Sequence, residues 1–101
     1  MQGGRKTLAS EYPGMLFAHP LRLRIFLSLL EGGEASPSEL ARTVDARLPN
    51  VSYHVRTLAD LGLIECVREE PRRGATEHYY VAATTPQDVF DRLFAEASSG
   101  R

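Results

Sequence analysis

The sequence has few of the features found in cross-linked, secreted or membrane proteins. Its 101 residues include one cysteine, Cys66, which excludes a disulfide within the chain and a cysteine-cluster metal site. No apolar run approaches the roughly 18 to 20 residues that a membrane-spanning helix needs, and residues 1–12 lack a secretory apolar segment. We therefore expect a cytoplasmic protein in which Cys66 is a small, half-buried strand residue, and we leave a redox role for its thiol open.

The sequence signatures of an enzyme are also missing. There is no nucleophile motif, no glycine-rich phosphate loop and no pair of carboxylates with partners. A chain of 101 residues forms one small domain, in which a catalytic pocket is hard to fit beside the core. Apolar residues make up 43% and charged residues 25%, as in ordinary globular proteins. We predict one folded domain that is not an enzyme and needs no cofactor or metal.

An excess of positive charge, common in nucleic-acid-binding domains, is absent too, since the formal net charge is −1. The distribution of charge is more informative than its sum. Residues 25–41 carry only acidic charges, whereas residues 42–58 carry Arg42, Arg47 and Arg56 against Asp45 alone. This second segment is locally basic and suits contact with phosphates.

The strongest helix signal starts at Pro20 and stops at the glycine pair at positions 32 and 33. Apolar side chains cover about two-thirds of its circumference. In so small a protein, a helix with so much apolar surface is either wrapped centrally by the rest of the chain or shared with a partner chain. The second possibility suggests a dimer. Arg22 falls inside the apolar arc, where its stem can pack while its head reaches solvent or finds a carboxylate.

Two further helices follow with a tight link between them. Ser36, Pro37 and Glu39 form a capping box at the start of the shorter helix. The longer helix is predicted from Leu48 or Pro49 to Leu61, with Gly62 in the left-handed position that ends it. A short helix, a short turn and a longer helix are the helix-turn-helix plan.

Strands and a last helix complete the pattern. Residues 63–70 and 75–82 alternate as two strands joined by a turn at residues 71–74. Thr85 and Pro86 start a final helix with an apolar stripe that includes Phe90 and Phe94. We therefore predict a mostly α fold with a small β-hairpin, a winged helix-turn-helix. The predicted parts are an N-terminal arm or short helix (1–18), the winged helix-turn-helix domain (19–83), and a C-terminal dimerisation helix with its tail (84–101).

Residues 19–82 resemble the ArsR-type winged-helix transcriptional regulators. The stretches that carry the resemblance are "HPLRLRIFLSLL", "SPSELARTVDARLPNVSYHVRTLADLGLIE" and "RRGATEHYYV". The resemblance implies a homodimer, usually a repressor, that binds a palindromic operator in double-stranded DNA and pairs through its first and last helices. The side chains expected at that interface are Leu23, Leu27, Phe90, Leu93 and Phe94.

The resemblance also assigns residues to DNA contact. It places the recognition-helix contacts on Asn50, Ser52, Tyr53 and Arg56, the wing contacts on Arg72 and Arg73, and Arg42 towards phosphate. Two residues depart from the family's pattern. Arg47 stands where the family often has a capping serine or threonine, so the helix start is weakly capped and the guanidinium can contact phosphate instead, and Asp45 stands where the turn often has glycine. The histidine of the motif falls on His54. The family's paired cysteines on the helix before the turn, and its histidine-containing zinc pairs on the last helix, do not occur here.

Several alternatives stay open from the sequence. His54 is a half-packed helix residue or a phosphate contact, since no partners stand at metal-ligand spacing. Tyr79 and Tyr80 are strand aromatics that pack on the core or, alternatively, stack on bases. The alternative function is a winged-helix module that binds another protein and not specific DNA. The operator sequence, an effector ligand and the choice between repression and activation also stay open from the sequence.

Overall fold

In the part of the chain that the structure describes, three helices are followed by a β-hairpin and a further helix. A computed structural model describes Leu16 and residues 18–99, apart from the side chains of residues 92, 93 and 96–99. The predicted arm over residues 1–18 lies almost entirely outside the described residues, but Leu16 is fully buried in the core. The elements are α1 (Pro20–Gly32), α2 (Pro37–Thr43), α3 (Leu48–Asp60), β1 (Ile64–Arg72), β2 (Ala75–Ala82) and α4 (Pro86–Ser99).

Local signals fix the helix boundaries. The Ser36 hydroxyl accepts from the backbone N–H of Glu39 at 3.2 Å, and the Glu39 carboxylate accepts from the N–H of Ser36 at 3.0 Å. This reciprocal capping box confirms the predicted start of α2. At the start of α4 the Thr85 hydroxyl accepts from the N–H of Asp88 at 3.0 Å. Gly62 adopts φ +81° after α3, the left-handed conformation that glycine favours at a helix end.

The hairpin turn is tighter than predicted. The strands continue through Pro71 and Arg72, so the predicted four-residue turn at 71–74 is wrong. Only Arg73 and Gly74 connect the strands, with φ values of +38° and +82°. Two-residue turns with both φ values positive match the twist of paired strands, which explains why the strands extend so far.

A bulge interrupts β1 between Cys66 and Arg68. Cys66 is exposed, so the predicted half-buried placement is wrong. A bulge changes which face of the sheet each side chain occupies, and the alternation assumed from the sequence does not hold across it.

The core gathers around α1 and α3, which pack against each other. Ile25, Phe26 and Leu29 from α1 meet Val55 and Leu58 from α3, all of them buried. The hairpin is tied to this core by a backbone bridge in which Ala35 and Tyr80 exchange hydrogen bonds of 3.0 and 2.9 Å. No helix in the described part of the chain has both the length and the apolarity needed to cross a membrane.

Candidate nucleic-acid interface

The outer face of α3 carries the polar side chains predicted to read bases. Asn50, Tyr53 and Arg56 are exposed and Ser52 is half-buried, while the opposite face is buried in the core. Tyr53 is 55% exposed. The structure therefore brings the four predicted residues onto the solvent side of one helix, at its N-terminal and middle turns. Exposed hydrogen-bonding side chains on such a helix are of the type that reach base edges in a major groove.

The start of α3 lacks a side-chain cap. Arg47 occupies the N-cap position, makes no capping hydrogen bond and is exposed, as the sequence predicted. Asp45 in the preceding turn adopts φ +55°, so this aspartate takes the left-handed conformation in place of a glycine. The first N–H groups of α3 are therefore not satisfied by a side chain, and both they and Arg47 suit an anionic group.

A cleft of about 310 Å³ separates the first turns of α2 and α3 from the hairpin. Ser38 of α2 and Leu48 and Ser52 of α3 line one side, and Arg72 and His78 of the hairpin are on the other. Ser38 and Leu48 were not predicted as site residues. The sequence placed Ser38 in the first turn of a helix, directly after Pro37, but only the folded chain brings it beside the wing.

Glu77 of β2 lines the same cleft as Pro37 and Ser38 of α2. Hydrogen bonding from the Ser36 hydroxyl, then from Ser38, and the charges of Arg72 and Arg42 hold the pKa of the Glu77 carboxyl below its usual value, against an opposing effect of burial. Arg42 is exposed on α2. Its charge therefore acts partly on a carboxylate of the hairpin.

The wing arginines differ in their partners. Arg72 donates to the Tyr79 hydroxyl at 2.7 Å and to Glu70 at 3.3 Å, and its Nε lies 3.9 Å from Glu77. Arg73 at the turn is exposed, and no ion pair of the described residues involves it. Of the two predicted wing contacts, Arg72 is therefore held by side chains of the hairpin, whereas Arg73 presents its charge to solvent at the turn.

A third arginine of the hairpin, Arg68, covers the ring of Tyr79. Arg68 pairs with Glu34 and Glu70, and its guanidinium carbon lies 3.9 Å from the centroid of the Tyr79 ring. Tyr79 is 4% exposed and Tyr80 is half-buried against the core. The packing alternative therefore describes both tyrosines better than the base-stacking one.

His54 lies inside the protein. Its ring is 9% exposed, and its Nδ1 accepts from Nε of Arg22 at 3.1 Å. Burial first, and then the charges of Arg22 and His19, lower the pKa of His54. This environment favours the packed-helix reading of His54 over the phosphate contact, because the ring is turned away from solvent and one nitrogen is already engaged.

Arg22 itself is 2% exposed, so the predicted outward reach of its head group is wrong. Its guanidinium carbon also lies 5.9 Å from the centroid of the Tyr53 ring. The sequence flagged Arg22 as an arginine within an apolar arc, but the spacing within α1 gave no sign that it meets the recognition helix.

The predicted dimer face is apolar and open. Leu27, Phe90 and Phe94 are exposed, and the two phenylalanine rings stack with centroids 6.2 Å apart. Between α1 and α4 runs an apolar groove of about 190 Å³, lined in part by Leu23 and Leu27. The side chain of Leu93 lies outside the described residues. The exposed aromatic surface has no cover among the described residues.

Metal-binding residues are not clustered in the part of the chain that the structure describes. There, no three histidine, cysteine, aspartate or glutamate side chains form a group that could hold a metal ion.

Comparisons with known proteins agree with this geometry. The sequence profile of the helix-turn-helix domain family matches residues 17–67, while no curated protein is significantly similar to the chain. A crystal structure of a possible transcriptional regulatory protein from Mycobacterium bovis, fragment 1–100, is 32% identical over 89% of this chain and 87% of that one, with a TM-score of 0.60.

Two further solved structures show the same fold. The solution structure of a homodimeric winged helix-turn-helix DNA-binding domain from M. bovis, a possible ArsR-family regulator, is 30% identical over 97% of this chain and 85% of that one, with a TM-score of 0.60. An ArsR family transcriptional regulator is 23% identical over 89% and 84%, with a TM-score of 0.61. The chain belongs to the helix-turn-helix domain family and, within it, to the ArsR-type winged helix-turn-helix transcriptional regulators.

Proposed function

We propose that two copies of this chain bind an inverted-repeat site in duplex DNA and repress transcription by occupying a promoter. The observation that carries the proposal is the outer face of α3, where Asn50, Tyr53 and Arg56 are exposed opposite the buried face. A helix held in this way by a helix-turn-helix unit can enter a major groove.

The roles within this interface follow from side-chain chemistry. The Arg56 guanidinium suits the two acceptors of guanine, and the Asn50 amide suits the donor and acceptor of adenine. Ser52 and Tyr53 complete the reading face, where their hydroxyl groups can hydrogen-bond to base edges. Arg42 and Arg47, both exposed, suit backbone phosphates, which set position and not sequence.

In the wing, Arg73 is the proposed phosphate contact. We assign Arg72 to bracing the hairpin, because Glu70 and Tyr79 already hold its guanidinium. His54 is omitted from the proposed DNA contacts because its ring is buried.

The dimer is proposed on the apolar surface of α1 and α4. Phe90 and Phe94 are 59% and 64% exposed in the single chain, and the related M. bovis domain is homodimeric. A symmetric pair would present two α3 helices to half-sites about 34 Å apart along the DNA. We also propose that this regulator acts without the family's metal sites, because the cysteine pairs and zinc pairs of the family are absent from the sequence. A further part of the proposal is that it acts in the cytoplasm, where the promoter DNA of such regulators lies.

A protein-binding module is the second candidate. It is favoured by the ion-paired wing, in which Arg68 and Arg72 are both held by glutamates. The salt dependence of binding separates the two candidates. For binding in a DNA groove, the logarithm of the association constant falls with the logarithm of the salt concentration, with a slope of about −0.9 per neutralised phosphate. Binding to another protein need not depend on salt in this way.

The test is selection of random duplex DNA by the purified chain, followed by titration of the enriched duplex at several salt concentrations. An inverted repeat bound by two chains, with a steep salt slope, supports the regulator. Failure to enrich any sequence, or weak binding that ignores salt, supports the protein-binding module instead.

A further inference from the structure

A cluster of buried and half-exposed side chains joins the first helix to the recognition helix. Arg22 of α1 donates through Nε to Nδ1 of His54 on α3 at 3.1 Å. The His54 and Tyr53 rings meet edge to face at a centroid distance of 5.2 Å, and the centroid of the His19 ring lies 5.5 Å from that of His54. The Arg22 guanidinium carbon is 5.9 Å from the centroid of the Tyr53 ring.

Burial changes along this cluster from the interior to the surface. Arg22 is 2% exposed, His54 is 9% exposed and Tyr53 is 55% exposed. The buried end is a charged guanidinium, which is costly to remove from water and therefore stays close to its hydrogen-bond and ring partners. The exposed end is a side chain on the face that meets DNA under the proposed function. The buried His54 ring thus packs against the partly exposed Tyr53 ring.

We propose that Arg22 is a positioning residue for DNA recognition, reaching through the interior to fix the orientation of Tyr53 on the outer face of α3. Its guanidinium lies within cation–π range of the Tyr53 ring and also fixes the His54 ring, against which Tyr53 rests. This inference rests on the proposed function, because Tyr53 matters for recognition only if α3 meets DNA.

The hydrogen bond also specifies the state of His54. Because Nδ1 accepts from Arg22, the ring proton of the neutral imidazole sits on Nε2. Protonation of Nδ1 would place a hydrogen against the Arg22 donor and break the contact. The pair therefore holds the His54 ring in one tautomer and one orientation.

The helix that carries Arg22 also carries part of the proposed dimer face. Its neighbour in sequence, Leu23, lines the apolar groove between α1 and α4. A displacement of α1 on pairing or separation of the two chains would therefore move the guanidinium that supports Tyr53.

A double-mutant cycle on DNA binding tests the inference. Arg22→Met keeps an unbranched stem without the guanidinium, and Tyr53→Ala removes the ring. We expect each single variant to weaken binding of the selected duplex by about tenfold, the size of one cation–π contact with its hydrogen bond. In the Tyr53→Ala background Arg22→Met should add no more than about twofold, because its effect passes through Tyr53. Equal losses in both backgrounds would overturn the inference.

Matched variants of His54 separate positioning from packing. His54→Asn retains an acceptor near the place of Nδ1, whereas His54→Leu removes it. We expect His54→Asn to bind DNA more tightly than His54→Leu when both are folded to the same extent. Equal affinity of the two variants would contradict the role of the Arg22 contact.

A measurement without DNA distinguishes failure of this inference from failure of the proposed function. Nitrogen-15 shifts of the free protein should report the Nε2–H tautomer of His54, and the Tyr53 ring resonances should shift in Arg22→Met. Unchanged Tyr53 resonances would overturn the positioning role even if the wild type binds DNA. If these resonances shift but no duplex is selected by the wild type, the proposed function fails, and the role in recognition fails with it.

Discussion

Replacing Phe94 by alanine is expected to break the proposed dimer while the single chain stays folded. The Phe94 side chain is 64% exposed in the single chain, and the neighbouring Phe90 is 59% exposed. A side chain with so much of its surface outside the core contributes little to the folding of its own chain. Its loss should therefore weaken association more than folding.

The size of the effect follows from the exposed surface. Full burial of a phenylalanine side chain contributes about 1.5 to 3 kcal/mol, so the 64% of Phe94 that is still exposed leaves about 1 to 2 kcal/mol for the interface. A symmetric dimer contains the ring twice, so Phe94→Ala should cost about 2 to 4 kcal/mol, or about 30-fold to several-hundred-fold in the dimer dissociation constant. Sedimentation equilibrium measures that constant, and circular dichroism of the same samples checks the helix content.

Tyr53→Ala is the matched control, because it removes an aromatic ring that is 55% exposed on α3, outside the proposed α1–α4 interface. It should leave the dimer dissociation constant within about twofold, since surface changes away from an interface have small effects. Phe94→Asp should abolish the dimer altogether, because it buries two carboxylates. A dissociation constant unchanged by Phe94→Ala, or equally weakened by Tyr53→Ala, would refute the interface.

Three further predictions concern pH, capping and the wing. Burial, reinforced by nearby basic groups, lowers the pKa of His54 from its usual value of 6.5. The unfolded chain therefore binds a proton at His54 more readily than the folded chain does. The free energy of unfolding should be highest above about pH 6.5 and should decrease as the pH falls below that value, by at most about 1.4 kcal/mol per pH unit, until the pH passes the folded pKa. Urea unfolding at several pH values should show this fall in the wild type and less of it in His54→Asn, and an equal fall in both would contradict the assignment. Arg47→Ser should raise the free energy of unfolding by about 0.5 to 1 kcal/mol through a new N-cap and at the same time weaken DNA binding, whereas a lower melting temperature would oppose this. Arg73→Ala should reduce the salt slope of DNA binding by about 1, while Arg72→Ala should alter it less and lower the melting temperature; equal slopes for the two variants would contradict the division of roles.

The helices could be predicted closely because their boundaries depend on nearby residues. Ser36 with Glu39, Thr85 with Asp88, and Gly62 are local signals, and each appears in the structure where the sequence placed it. The outer face of α3 also follows from a local pattern, since helical spacing separates the buried positions from the exposed ones.

The hairpin was less predictable, because its details depend on pairing between strands. The bulge after Cys66 and the two-residue turn at Arg73 shift residues between faces and into the strands. An arginine at positive φ is unusual, and the sequence around Pro71 favoured a wider turn.

The partners of charged residues were the hardest to predict. The contact between Arg22 and His54 joins residues 32 positions apart, and Arg72 is held by side chains from both strands of the hairpin. Such contacts depend on how helices and strands pack against each other. The spacing of residues within one helix or strand does not predict that packing. The sequence therefore indicated which arginines were candidates for DNA contact, while the fold shows which of them are already engaged.

The most direct test of the central claim is the affinity of wild type, Arg56→Ala and Arg47→Ala for every single-base variant of the selected duplex. If α3 reads bases, Arg56→Ala should lose discrimination at one position of each half-site, by about 1 to 3 kcal/mol, while Arg47→Ala weakens all variants alike and lowers the salt slope. Arg56→Ala with its full base preference intact, or a wild type without base preference, would contradict the account.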